Sequence, residues 1–411
     1  MYSIIRHKFK RAFELSVLKL LPWIFSRGGF GNKSTFLIEK RAQHIRAISG
    51  LLFLEKPLFF LEEIVLKRVI ALLLALVFCF SFAACGSTTQ NEKEVEKADT
   101  ITVTDMAGDE IEIPADTAHN TVATTYGVIT PFYVTLKMSD RVLATTMKNK
   151  GFLRKVDDVI VNAGDIGNHT LDSEALAAYN PSILMIRTSD TDKKQIGERL
   201  GIPTVAVYIE SADQVIEAYE LIGKMFGCED RAKELITWIN NELDTIKTLA
   251  STIPEDEKVT AVCMGSTLGQ IAAENMLQVM MIETAGGKSE VTEIADDLMW
   301  VDVGVEAVFD KDPEFIFVSS SNPVEYSVEE LYEESAWSGM KAIQNRHVFL
   351  IPAKLDSWDM PGPAFVLGIY YMMHCMYPNL VTSEMMQEKI DEFYGLFYGK
   401  TFTGEELKYE F

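Results

Sequence analysis

The sequence predicts an α/β protein of two lobes, each built on a mostly parallel sheet flanked by helices, joined by one long rigid helix. Three observations carry this. From Thr121 to Val207, short apolar strands alternate with helical stretches, the βαβα order that makes a parallel sheet covered on both faces. A helix-to-strand unit occurs twice: EALAAYNPSILMI at 174–186 and EAVFDKDPEFIFV at 306–318 both read Glu-Ala-apolar, a turn at Asn-Pro or Asp-Pro, then a buried strand. Between the two units runs Asp230–Leu249, where Ala232, Leu235, Ile236, Ile239, Leu243 and Ile246 form one apolar stripe. Twenty helical residues span about 30 Å, the length of a small domain.

Ahead of these elements, Leu66–Ser87 (LKRVIALLLALVFCFSFAACGS) divides the chain. A basic start at Lys67 and Arg68, an apolar core at Val69–Phe80 and small residues ending on Cys85 form a secretory signal, with Cys85 placed as the acceptor of a lipid anchor. An uncleaved membrane span is disfavoured: Val69–Ala84 would rise only about 24 Å against a hydrocarbon core of about 30 Å. Residues 85–99 have the polar composition of a flexible tether. Residues 1–65 are basic and lack turn-separated periodic elements; they are expected to be an upstream extension from a start site placed too early, with translation beginning at Leu66. The predicted organisation is thus extension 1–65, signal 66–84, tether 85–99, N-terminal lobe 100–227, interlobe helix 228–251 and C-terminal lobe 258–411.

The chain has 38 basic and 60 acidic residues; 13 and 5 of these precede Cys85, so the part from Cys85 onward carries about −30. That balance speaks against nucleic-acid or anionic-surface binding. Past Cys85 only Cys228, Cys263 and Cys375 remain, too scattered for a disulfide framework or a zinc site; one disulfide or buried thiols fit the count.

Taken in order, Thr100–Pro114 alternates apolar and polar residues around Ala107-Gly108-Asp109 and reads as a hairpin. Thr121–Thr125 is a strand, Val128–Met138 a helix with Pro131 in its first turn, and Arg141–Thr146 a second strand. Met147–Asp165 reads as a loop rich in Lys and Gly. Ser173–Tyr179 is a helix, Pro181–Ile186 a buried strand, Lys193–Leu200 a helix and Thr204–Val207 a strand. Ala212–Phe226 is a helix closed by Gly227 ahead of the long one. Lys258–Cys263 opens the second half, followed by a helix at Ser327–Glu334, a strand at Val348–Ile351, the Pro/Gly-rich loop Pro352–Pro363, an apolar helix at Ala364–Met376 and an amphipathic C-terminal region, Ser383–Glu410.

In this order the chain from Ile101 to Gly399 resembles the ABC-transporter substrate-binding proteins for ferric siderophores, haem and cobalamin, the class III periplasmic binding proteins. The matching pieces are TVTDMAGDEIEIP, LDSEALAAYNPSILMI, LGIPTVAV, TAGGKSEV, MWVDVGVEAVFDKDPEFIFV, AIQNRHVFLIPA and YPNLVTSEMMQEKIDEFYGLFYG. The resemblance implies capture of a metal chelate or macrocycle, delivery to an ABC permease and its ATPase, a monomer, and a lipid-anchored place on the extracytoplasmic face of the cell membrane. It implies no enzymatic activity, cofactor or resident metal. It also places Glu174 and Glu306, one per lobe, where the family docks carboxylates on permease arginines, a bidentate and reversible pairing. Alone, each Glu would be explained by its first-turn position against the helix dipole. The ligand cleft implied lies at strand ends between the lobes, where the loops supply Thr125, Tyr126, Phe152 and Arg187 from the first half and Trp300, Trp358 and Asp359 from the second. Aromatic walls suit a macrocycle or lipophilic chelate, and a loop Arg suits its charge. Trp300 and Arg187 also fit core packing and plain solvation. Cleft cations are expected to be few: Arg187, Lys148, Lys150 and Lys354.

Direct metal chelation is disfavoured, because only His119, His169, His347 and His374 follow the signal and none clusters with others. A secreted hydrolase lacks support: Gly265-Ser266 does not spell G-x-S-x-G, and no HExxH, P-loop or GxGxxG occurs. A membrane-anchored sensor or adhesin of the same fold is the remaining alternative.

Overall fold

The computed structural model describes residues 99–146, 150–167, 169–290, 299–320, 323–333 and 336–407, all within the compact unit Val95–Phe411. The predicted extension, signal, tether and Cys85, with Lys148, lie outside the described residues.

The chain opens with β1 (Thr100–Thr104) and β2 (Glu110–Pro114), paired antiparallel as predicted. The Asp105 carboxylate closes the turn by accepting from the Ala107 and Asp109 amides, both at 2.9 Å. Its other oxygen accepts from the Ala206 amide at 3.0 Å, which pins the hairpin to the first lobe. That lobe comprises β3 (Val122–Thr124), α1 (Thr130–Thr135), β4 (Val142–Thr145), α2 (Lys150–Val156), α3 (Ser173–Tyr179), β5 (Ile183–Arg187), α4 (Thr191–Leu200) and β6 (Thr204–Val207). Its sheet is fully parallel, in the order β4-β3-β5-β6.

Helices α5 (Ala212–Phe226) and α6 (Glu229–Ala250) follow. At 22 residues, α6 runs about 33 Å. Five of its six predicted stripe residues are buried, and Ile236 is half-buried. Glu242 shares that face at 7 % exposure, where Tyr370 Oη donates to it at 2.6 Å and Lys389 Nζ at 3.2 Å. A charge so enclosed is tolerable only because it is paired.

The second lobe holds β7 (Thr260–Met264), β8 (Gln270–Ala272), α7 (Leu277–Thr284), β9 (Lys288–Ser289), β10 (Trp300–Asp302), α8 (Gly304–Lys311), β11 (Phe315–Val318), α9 (Val328–Glu333), α10 (Lys341–Gln344), β12 (Val348–Leu350) and α11 (Phe365–Met376). Its sheet runs β10-β8-β7-β11-β12, with β9 beside β7. Strands β7, β11, β12 and β9 are parallel, while β8 and β10 form an antiparallel edge. Those two three-residue edge strands are too short to show an alternating pattern, so the sequence does not announce them. At Gly269 (φ +77°) an added Cβ would stand 2.6 Å from the Gly304 carbonyl carbon. Gly269→Ala is therefore expected to destabilise the protein by more than about 1 kcal/mol in urea unfolding.

The duplicated unit has a backbone counterpart. Helices α3 and α8 both end on a non-glycine residue in the left-handed region, Asn180 (φ 48°) and Asp312 (φ 43°), each just before a proline. Asn and Asp tolerate that conformation best after Gly.

One expectation fails in the first lobe. Met147–Asp165 is not all loop, because Lys150–Val156 is helical and buries Phe152 (2 % exposed) and Leu153 (1 %). The partners of Phe152 come from the far end of the chain, from α12 (Ser383–Tyr398) and from Phe402, which precedes α13 (Gly404–Leu407). The Phe152 ring meets Tyr398 at 5.0 Å and Tyr394 at 6.0 Å, both edge-on, and Phe402 at 6.1 Å. Helix α12 also packs Phe393 and Phe397 on Trp238 of α6, and its Leu396 carbonyl accepts from Arg231 at 2.6 Å. The C-terminal helix thus returns to the first lobe and the long helix together.

Candidate functional site: a cleft between the lobes

A cleft of about 400 Å³ opens between the lobes, within the size range of small-molecule sites. One wall comes from the ends of the first sheet: Thr125 to Val128 after β3, Thr146 after β4, Arg187 ending β5, and Asp190 and Lys193 at the start of α4, with His169 beside them. The opposite wall is the Asp356–Ala364 loop and Tyr398 of α12. Parallel strands deliver their following loops to one edge, so these residues meet for topological reasons.

Two buried polar atoms on the first wall lack partners among the described residues: Thr125 Oγ1 and Arg187 Nε. Thr125 is 3 % exposed, and such a group normally finds a hydrogen bond. Arg187 is half-buried, stacks over the Tyr208 ring at 5.5 Å, and reaches across the lobe boundary to within 3.4 Å of Met299 Sδ. Lys193, 8 % exposed, pairs with Asp190 at 2.7 Å. On the second wall, Tyr394 Oη donates to Asp356 at 3.1 Å. Burial pushes the Asp356 carboxyl up to about 7. The first wall therefore sets Arg187 beside the Lys193–Asp190 pair, and the second presents a carboxyl that burial holds above the usual range.

Thr125, Tyr126 and Arg187 line this cleft, as their strand-end positions implied. Phe152, Trp358 and Asp359 do not. Phe152 faces the C-terminal aromatics. Trp358 is fully buried, donating from Nε1 to Tyr394 Oη at 3.0 Å and meeting Tyr371 edge-on. Asp359 is equally enclosed; Ser357 Oγ donates to its carboxyl at 3.0 Å, and burial raises that carboxyl above the usual range. Trp300 is half-buried in edge strand β10; a Cβ at Gly265 would come within 2.9 Å of its ring, so it packs there instead of lining the cleft. Lys354 is exposed outside the lining, and Lys193 supplies the second cation in its place. Sequence reasoning missed His169, Asp190, Lys193, Asp356 and Tyr398; of these, Asp190 alone had a signal, standing just beyond the end of a buried strand.

Glu174 and Glu306 lie in the first turns of α3 and α8, both exposed. Neither carboxylate forms an ion pair or hydrogen bond among the described residues. Asp172 caps α3, accepting from the Glu174 and Ala175 amides at 3.0 Å. Among the described residues no cluster of three or more His, Cys, Asp or Glu could hold a metal ion, and no helix is long and apolar enough to cross a membrane. Cys228, Cys263 and Cys375 are free thiols.

Two α/β lobes, one long helix joining them and a cleft at the facing strand ends make a class III solute-binding protein. The chain belongs to the periplasmic binding protein family, whose model, described as "Periplasmic binding protein", matches residues 122–355. It is similar to the uncharacterized ABC transporter substrate-binding lipoprotein YvrC of Bacillus subtilis, 23% identical over 326 residues, which cover 75% of this chain and 96% of the relative. It is also similar to the molybdate-binding protein MolA of Haemophilus influenzae, 21% identical over 57% of this chain and 71% of the relative. The molybdate-bound structure of MolA aligns with a TM-score of 0.64 at 18% identity, covering 74% of this chain and 99% of that one. A solute-binding protein of an ABC transporter from Sulfurospirillum deleyianum also aligns at 0.64, with 21% identity over 75% and 98%.

Proposed function

We propose that this protein is the capture component of an ABC importer: it takes a metal chelate or related macrocycle, such as a ferric siderophore, haem or cobalamin, into the interlobe cleft and hands it to a permease. The observation that carries the reading is the pair of unpartnered buried atoms, Thr125 Oγ1 and Arg187 Nε, on the wall of a 400 Å³ cleft. A ligand that brings acceptor oxygens satisfies both. The volume favours a chelate over a bare oxyanion, although the name of MolA gives molybdate a place in the test. The opposite wall, with Asp356 and Tyr398, suits donor groups on the same ligand.

In this reading residues 100–227 and 258–411 are the lobes and 228–251 the strut between them. Glu174 and Glu306 dock the loaded protein. Cys85 anchors it at the outer face of the membrane, in keeping with the lipoprotein designation of YvrC; Cys85→Ala is expected to move the protein from the membrane fraction to the medium. A sensor of the same fold is set apart by uptake assays in cells lacking the protein.

Fluorescence titration with ferric hydroxamate and catecholate chelates, haem, corrinoids and molybdate tests the ligand class. Arg187→Gln is expected to weaken binding of the best anionic probe by about tenfold to a hundredfold, since a charge-assisted hydrogen bond contributes about 1.5–3 kcal/mol. Unchanged affinity would reject Arg187 as a ligand contact.

A further inference from the structure

The two walls of the cleft offer a ligand opposite hydrogen-bonding chemistry. The first presents donors, the unpartnered Thr125 hydroxyl and Arg187 Nε. The second presents an acceptor. Asp356 lines the cleft, and one of its carboxylate oxygens accepts from Tyr394 Oη at 3.1 Å. That hydroxyl itself accepts from Trp358 Nε1 at 3.0 Å, so its own proton is directed at Asp356. Tyr394 and Trp358 are fully buried, and the Tyr394 ring meets Phe152 and Phe402 edge-on at 6.0 and 4.9 Å. The carboxylate is thus held in one orientation before a ligand arrives, which lowers the ordering cost of binding. Two carboxylates line the cleft, and Asp190 is already paired with Lys193 at 2.7 Å. Asp356 forms no ion pair among the described residues: beside it stand Tyr394 and Tyr398 of α12, while Arg187, Lys193 and His169 belong to the opposite wall. An ionised carboxylate has about four acceptor positions, and Tyr394 fills one of them.

Taking the cleft as the ligand site, we infer that Asp356 is a specificity-determining residue: it selects ligands that carry a hydrogen-bond donor, above all an ammonium group, at the end remote from the oxygens that meet Thr125 and Arg187. The substrate class narrows accordingly to a chelate with acceptor oxygens on one side and a protonated amine on the other. Such a ligand satisfies both walls at once. A bare oxyanion satisfies only the first; it leaves Asp356 enclosed without a donor, and a charge shut away from water without a partner counts against binding.

The test uses two linear ferric trihydroxamates that differ at one group, a free terminal amine or the same amine acetylated, titrated by fluorescence quenching at pH 8. Burial holds the Asp356 carboxyl up to about 7, so it is mostly ionised there. Wild type is expected to bind the amine form about tenfold more tightly than the acetylated form, the margin of a charge-assisted hydrogen bond. Asp356→Asn is nearly isosteric and keeps an acceptor for Tyr394. It should lose that preference and bind the acetylated chelate as wild type does. Equal affinity of wild type for the two chelates, an equal loss of both in Asp356→Asn, or no binding of either would overturn the inference. Arg187→Gln distinguishes this failure from failure of the cleft assignment. If Arg187→Gln weakened both chelates while Asp356→Asn kept the preference, Asp356 would lose its role and the cleft would stand as the site. If both chelates bound wild type and neither variant altered affinity, the cleft assignment would fall and the inference with it.

Discussion

Replacing Glu174 and Glu306 together by Lys is expected to stop uptake while leaving ligand affinity within about twofold of wild type. Both side chains are exposed, lie in the first turn of corresponding helices and carry no partner among the described residues, so their removal costs the fold little. Under the docking proposal each contributes through charge complementarity with a partner, where reversal turns attraction into repulsion and a like-charge contact costs several kcal/mol. Two such contacts act through one rigid body, so the single variants should each retain partial uptake. Transport of the radiolabelled ligand in cells producing either variant, alongside titration of the purified proteins, separates docking from capture. Uptake that survives the double reversal, or a large loss of affinity, would remove both residues from the docking role.

Trp358→Ala is expected to cost about 3–5 kcal/mol of stability, the range for emptying a buried indole site, and to lower the melting temperature by on the order of 10 °C. The indole is fully buried and its Nε1 donates to the Tyr394 hydroxyl, which in turn holds Asp356 at the cleft wall. Trp358→Phe keeps most of the ring and loses that bond, so about 1–2 kcal/mol should go. Ligand affinity should shift less than stability in the Phe variant. The reverse pattern, normal melting with lost binding, would return Trp358 to the ligand.

Much of the fold was legible because the chain marks its own boundaries. Helix α5 begins after Ser211, whose hydroxyl accepts from the Gln214 amide, and ends at Gly227 with φ 63°; such caps read directly from sequence. The first wall of the cleft was legible for a different reason, since loops after parallel strands converge, Thr125 and Tyr126 directly follow β3, and Arg187 ends β5. The second wall was not. The Pro352–Pro363 loop has no period to say which side chains point in, so the sequence points to Trp358 and Asp359 while Asp356 and Ser357 line the cleft. Helix α2 stayed hidden because Phe152 finds its ring partners some 240 residues downstream, beyond any local pattern.

That distant contact has a mechanical meaning. Tyr394, Tyr398 and Phe402 from the end of the chain grip Phe152 in the first lobe, while Phe393 and Phe397 on the same helix grip Trp238 of the long one. Wide opening would have to peel these rings apart. The spacing between Glu174 and Glu306 is then nearly fixed, a caliper set at folding, and under the docking proposal a partner would have to read small tilts of the jaws instead of their span.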